Sequence, residues 1–197
     1  MNKITYKMFE KALLMAVLTG AAIGVSHAGY DADDSQAGNS LSRNESSETR
    51  RMHAQMLILT LSEEYTEVEE LASQQMKFRE MGDAEGTQIA RMYGRWIRDH
   101  KAGVPALARL IRAHGGNPED AKELKAPALG NKHEMLMATH KAHEAAVMTS
   151  QMRFAATNDW DVKRLMKKRA NVARKHLAQM KRYHDEKNCS MCRDMKM

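Results

Sequence analysis

Between residues 47 and 187 apolar side chains return at helical spacing, every third or fourth position, in stretches separated by clear breaks. The first stretch predicts a helix over 47–80, with Leu57, Leu61, Tyr65, Val68, Ala72 and Gln75 on one face. Ser46-Ser47-Glu48 supplies its cap and first turn, and Gly82-Asp83 ends it. A second helix over 84–114 aligns Ile89, Tyr93, Trp96, His100, Val104, Leu107 and Ile111. Pro105 lies inside that pattern and should kink it or split it after Gly103, because proline lacks the N–H the helix needs. The connection from His114 to Asn131 has room for a short helical piece. A third helix is predicted over 131–157 and a fourth over 159–187, with Asp159 as the cap of the fourth. The fourth stripe reads Val162, Leu165, Arg169, Val172, Ala173, His176, Met180 and Tyr183. No stretch shows the two-residue period of a strand. Four amphipathic helices, two tight joints and one longer link predict an all-α, antiparallel four-helix bundle over 48–187.

The first 28 residues break this pattern. Lys3, Lys7 and Lys11 precede a charge-free apolar run from Ala12 to Val25, and Ser26-His27-Ala28 offers small residues around a cut before Gly29. This reads as a secretory signal peptide, too short to stay as a membrane anchor. The expected mature protein is therefore exported, periplasmic in a Gram-negative cell. No later stretch is apolar enough to predict a transmembrane segment. Residues 29–47 are polar and rich in Gly, Ser, Asn and Asp, and read as a disordered leader.

The formal net charge of +6 falls to +4 once Lys3, Lys7, Lys11 and Glu10 leave. Lys and Arg are spread along the helices instead of clustered, which argues against nucleic acid as a partner. The pattern leaves the oligomeric state open. Methionine is the anomaly: the chain holds 17, of which only Met1, Met8 and Met15 belong to the signal peptide.

The segment His133–Met148 carries three histidines and three methionines. Helix geometry advances about 100° and about 1.5 Å per residue. On that geometry His100 and His176 sit in the middle of their apolar stripes, and His140 and His143 flank the midline of the third helix. His140 precedes Asn158 by as many residues as His176 follows it, so those two are expected at one level, with His143 about a turn away. Counting from Gly82 likewise sets Glu64 level with His100, at the edge of the first helix's apolar face. Four helices thus offer His100, His140, His143, His176 and Glu64 at mid-depth, with Met180 within about a turn. Imidazole and thioether ligands point to copper, and imidazole with carboxylate to zinc or iron. The plain alternative is a set of hydrogen-bonded core histidines. Glu63, Glu67, Glu69 and Glu70 read as a solvated face. A di-iron carboxylate centre needs Glu-x-x-His pairs, and the chain has none.

The tail at 188–197 holds Cys189, Met191, Cys192, Met195 and Met197. Two cysteines in an exported chain normally form a disulfide. The same pair is also a redox couple or a soft-metal clip. Covalent haem attachment is excluded, since Arg193 occupies the position after Cys-x-x-Cys where a histidine is required.

The stretches WIRDHKAGVPALARLIRAHGG and HEAAVMTSQMRFAATNDWDVKRLMKKRANVARKHLAQMKRY resemble the exported bacterial ferritin-like domain of unknown function of the DUF-4142 type. The resemblance covers about residues 50–185 and matches Asp99-His100, His143 and His176 to that family's typical positions. It implies a ferritin-like bundle outside the cytoplasm and no settled reaction. HKAHEAAVMTSQM also resembles the Met/His-rich DUF-305 type, some of whose exported members are linked to copper. Pro105 and the Cys/Met tail depart from the first family.

The leading expectation is an exported bundle that binds a transition metal, copper first, for buffering or resistance. The second is a non-catalytic envelope or stress protein without metal. A metal or redox enzyme is the third, and no nucleophile triad, phosphate loop or paired acid/base motif supports it. The tail gives a direct test of the copper reading. A disulfide ring this small stabilises little, because loop-closure gain grows with loop length. Deleting residues 188–197 should leave thermal unfolding unchanged and lower Cu(I) stoichiometry of the reduced protein. Equal Cu(I) uptake by both forms would reduce Cys189 and Cys192 to a plain disulfide.

Overall fold

The helix boundaries in the computed structural model follow from caps that the sequence carries. The structure describes residues 45–122 and 130–186, all within one compact unit, Ser40–Met197. Among them every regular element is helical. Helix α1 spans Ser47–Glu80; the Ser46 side chain accepts from the Thr49 N–H at 3.1 Å, and Glu48 sits where the helix dipole favours an anion. At its end Gly82 adopts φ +69°, a left-handed conformation that side chains disfavour. Asp83 then accepts from the Gly86 N–H and opens α2, Ala84–Lys101. Gly86 lies so close to the Phe78 carbonyl oxygen that a Cβ there would collide with it.

Pro105 has the expected effect. The second predicted helix is two: α2 stops at Lys101, and α3 runs Val104–Ala113 with proline in its first turn, where no N–H is needed. The link that follows contains a single 3-10 turn, Pro118–Asp120. Helix α4, Lys132–Ala156, begins with a reciprocal cap: the Asn131 side chain accepts from the Glu134 N–H, and the Glu134 carboxylate accepts from the Asn131 N–H. The joint Thr157–Asp159 leads into α5, Trp160–Glu186, where Asp159 accepts from the Val162 N–H at 2.8 Å. Helix α1 packs mainly on α2 and α3, and α4 mainly on α5. No helix among the described residues is long and apolar enough to cross a membrane.

The apolar core comes in two parts. One gathers Leu71, Phe78, Tyr93, Trp96, Met135 and Met180; the other gathers Leu57, Leu61, Leu107, Ile111, Val162 and Met166. Along each long helix the two parts are separated by buried polar residues: Glu64 and Glu67 on α1, His143 on α4, His176 on α5. On the α2–α3 pair His100 takes that place. A polar belt therefore crosses the interior between two apolar layers.

The belt also corrects the expected face of the first helix. Tyr65 and Ala72 are only half-buried, whereas Glu64, Glu67, Leu71, Gln74 and Phe78 point inward. Leu57, with no exposed area, and Leu59, 47 % exposed, test the assignment of the second, lower layer, the one with Leu61 and Ile111. Leu57→Ala should cost about 3 kcal/mol in urea unfolding, and Leu59→Ala about 0.5 kcal/mol or less.

Candidate metal centre

Three helices bring His100, His143 and His176 together: one ring nitrogen from each lies within 4.8 Å of the others. All three rings are buried, His143 and His176 completely. The ring centroids stand 4.9–5.6 Å apart, each pair edge to face. Trp96 closes one side, stacked on His176 at 4.9 Å and edge-on to His143 at 5.2 Å, while its indole N–H donates to the Gln179 side chain.

Each ring is held from outside by an acceptor. His143 Nδ1 donates to the Thr139 carbonyl at 2.8 Å, one turn back on its own helix. His100 Nδ1 donates to Glu64 Oε2 at 2.9 Å. His176 Nε2 donates to Asp99 Oδ2 at 3.1 Å. A neutral imidazole has one N–H, so these bonds leave the inward nitrogens, His100 Nε2, His143 Nε2 and His176 Nδ1, as lone pairs. Two of them, His143 Nε2 and His176 Nδ1, face each other at 2.9 Å. Glu67 Oε1 joins them, 3.4 Å from His143 Nε2 and 3.6 Å from His100 Nε2. Neither Glu67 Oε1 nor His100 Nε2 has a hydrogen-bond partner. When all three rings are neutral, four acceptor atoms thus converge with no proton among them.

The electrostatics divide the three rings. Burial, reinforced by the neighbouring His143, pushes the pKa of His176 down to about 3. Burial also lowers that of His143, against the pull of Glu67. His100 differs: burial opposes its charge, but Glu67 and the hydrogen bond to Glu64 outweigh it and raise its pKa. Burial would raise Glu64, yet the His100 hydrogen bond and the charge of Arg169 hold it near 2. Arg169, its side chain 9 % exposed, also reaches Glu63 at 3.2 Å, and Glu63 pairs with Arg153 at 2.7 Å. A small cleft leads inward from exposed Ala102 and Lys168, past Asp99 and Arg169, to His100 and Glu64.

The structure assembles the sequence-derived residues unevenly. His100, His143, His176 and Glu64 meet in the belt. His140 does not: its Nδ1 lies 3.5 Å from Glu144, and its charge acts on His184. Equal counting from Asn158 ignores that helical side chains tilt toward their own N-terminus. That tilt carries His143 away from the joint and His176 back toward it, so His143 is the residue that meets His176. Met180 is fully buried in the apolar layer with Trp96 and Met135. Cys189 and Cys192 lie outside the described residues. Glu67, expected on a solvated face, is 7 % exposed and belongs to the centre. Its signal was available: Glu64 and Glu67 are one turn apart, so a face that buries one brings in the other. Arg169 in the middle of an apolar stripe was the matching hint of a buried carboxylate. Asp99, matched only through the family resemblance, anchors His176.

In metal-free protein the depressed pKa values of His143 and His176 make their contribution to stability complete above about 6.5 and lost as pH falls, because the unfolded chain then binds protons that the folded one refuses. His100, with its raised pKa, acts in the opposite sense, losing its contribution as pH rises beyond about 6.5. Burial lowers His114 and His184 as well, so four histidines against one set the acid limb. The urea midpoint in the presence of chelator should fall between about pH 6.5 and about pH 5, and His176→Leu should flatten that fall. An equally steep limb in the variant would show that His176 is not buried neutral. No family model, curated protein or solved structure matches this chain.

Proposed function

We propose that the protein is an exported, antiparallel ferritin-like four-helix bundle that holds a divalent transition metal in its polar belt, copper foremost, for metal buffering or resistance. One observation carries this reading: the inward nitrogens of three histidines and Glu67 Oε1 converge, with two of the four atoms lacking any hydrogen-bond partner. Buried polar atoms without partners are costly, and a cation is the group that satisfies acceptors alone. The outer bonds to Thr139, Glu64 and Asp99 are the kind that fix the tautomer of a metal-ligating histidine. Nitrogen and oxygen ligands favour a divalent ion, and for such sets Cu(II) binds more tightly than zinc or iron. Export rests on the leader at 1–28, and the bundle topology on the helix hairpins together with the family resemblance.

A second reading has its own support. Trp96 stacks on His176, and the outer nitrogen of every ring is bonded, so the histidines also serve as packing groups. In that reading the rings share an extra proton and bind no metal.

Cu(II) titration separates the two. The full chain should bind one Cu(II) in the belt, with an electron paramagnetic resonance spectrum showing coupling to three nitrogens. His143→Gln should remove that spectrum while leaving the helical circular dichroism unchanged. A wild-type chain without a three-nitrogen Cu(II) signal would leave the histidines as packing residues.

A further inference from the structure

A second cluster of ligand-type side chains lies beyond the lower apolar layer, at the helix ends, and no residue of it belongs to the belt. Glu45 precedes the cap of α1, His53 lies two turns into α1, and His114 closes α3. The joint between α4 and α5 supplies Thr157 and Asp159. We propose that Glu45, His53 and His114 form a separate divalent-cation site of the two-histidine, one-carboxylate kind, which takes zinc or iron(II) and leaves positions open to water.

The geometry is that of an inner and an outer shell. His53 Nδ1 lies 2.8 Å from Glu45 Oε1, and His114 Nδ1 lies 3.5 Å from Glu45 Oε2. One ligand atom from each residue falls within 4.8 Å of the other two. The two rings meet edge to face at 5.0 Å. Both Nδ1 atoms thus address one carboxylate, while both Nε2 atoms turn away to other partners. His53 Nε2 is 2.8 Å from Thr157 Oγ1, and His114 Nε2 is 3.7 Å from Asp159 Oδ2. Hydroxyl and carboxylate groups behind ligating imidazoles are how proteins orient such rings. Thr157 is itself positioned, since its oxygen accepts from the Asp159 N–H at 3.0 Å, and the other Asp159 oxygen is engaged by Val162.

Burial makes the cluster unusual. His53 is 5 % exposed and His114 3 %. His53 Nδ1 and both nitrogens of His114 lack a hydrogen-bond partner, because the nearby carboxylates are close in distance without being aligned as acceptors. A cation between the two Nδ1 atoms and Glu45 satisfies two of these three atoms at once. Two neutral imidazoles and one carboxylate suit zinc or iron(II) chemistry, and the absence of sulfur from this set separates it from a Cu(I) clip. The ion would tie the residue leading into α1 to the ends of α1 and α3, with the α4–α5 joint behind it.

Zinc stoichiometry of the full chain tests the site independently of the belt. Equilibrium dialysis against Zn(II), followed by metal analysis, should give two ions per chain for wild type. His114→Gln and Glu45→Gln should each remove one, His143→Gln should remove the other, and the His114→Gln/His143→Gln pair should bind none. Glu45 is half-buried and outside the helices, so Glu45→Gln keeps the fold and guards against a trivial loss through unfolding, checked by circular dichroism. A single ion lost with His114→Gln and kept in His143→Gln would support this site and sink the belt reading. A single ion lost with His143→Gln, or zinc binding untouched by Glu45→Gln and His114→Gln alike, would overturn the proposal.

Discussion

The interior of this protein is organised by the cost of burying charge. Glu64, 4 % exposed, sits between His100 on one oxygen and Arg169 on the other. An isolated carboxylate at such depth would protonate or force the helices apart. Here a guanidinium and an imidazole complete its shell, and its pKa is held near 2. Everything else in the belt follows from that pairing. Arg169 has to cross from α5 to reach α1, which fixes the level at which those helices meet. Its Nη1 reaches Ser150 and Thr149 on α4, and its Nη2 reaches Glu63. His100, drawn to Glu64 by one nitrogen, presents the other to Glu67 and His143.

A belt of this kind is an expensive way to stabilise a bundle. Replacing buried ion pairs with apolar side chains is often neutral or favourable, so polar groups kept at depth call for another account. The two flanking layers supply part of it. Trp96, Tyr93 and Met180 on one side, and Leu57, Leu61 and Met166 on the other, keep water from the belt and strengthen each interaction inside it. The rings are also immobilised: His176 by Trp96 and Asp99, His143 by the Thr139 carbonyl and Trp96. Rigid ligands lose little entropy on coordination. The belt is therefore expensive as packing and well suited to holding an ion.

Helix ends were the most legible feature of the sequence, since Ser46 and Asp159 announce two starts and Gly82-Asp83 a stop through local chemistry. Pro105 announced the break between α2 and α3 in the same way. The choice of His100, His143 and His176 was legible too, because histidine inside an apolar stripe contradicts its surroundings. Register was not. Which of His140 and His143 meets His176 depends on the tilt of side chains and on the length of one joint, and a single-turn error exchanges them. Glu67 was missed for a related reason: a stripe drawn through apolar residues alone rotates away from a buried carboxylate. Once Leu71 and Phe78 are seen as the inner line of α1, Glu64 and Glu67 fall on the same line.

The cluster of Glu45, His53 and His114 was illegible for a deeper reason. Periodicity compares residues along one helix, whereas these three come from a flank, a helix and a cap, backed by Thr157 more than a hundred residues later in the chain. Nothing local marks His114, which reads as an ordinary C-cap residue beside Gly115. What marks it in three dimensions is enclosure: a ring 3 % exposed with neither nitrogen hydrogen-bonded. In the belt His100 Nε2 meets the same criterion, whereas His140, equally buried, has its Nδ1 3.5 Å from Glu144 and stands apart from both clusters. Burial alone thus does not distinguish a ligand from a packed histidine. The distinction lies in proton accounting, in whether the donors around a ring suffice for the acceptors it faces; His100 Nε2 and Glu67 Oε1 in the belt, and His53 Nδ1 and both nitrogens of His114 at the helix ends, are left without a partner.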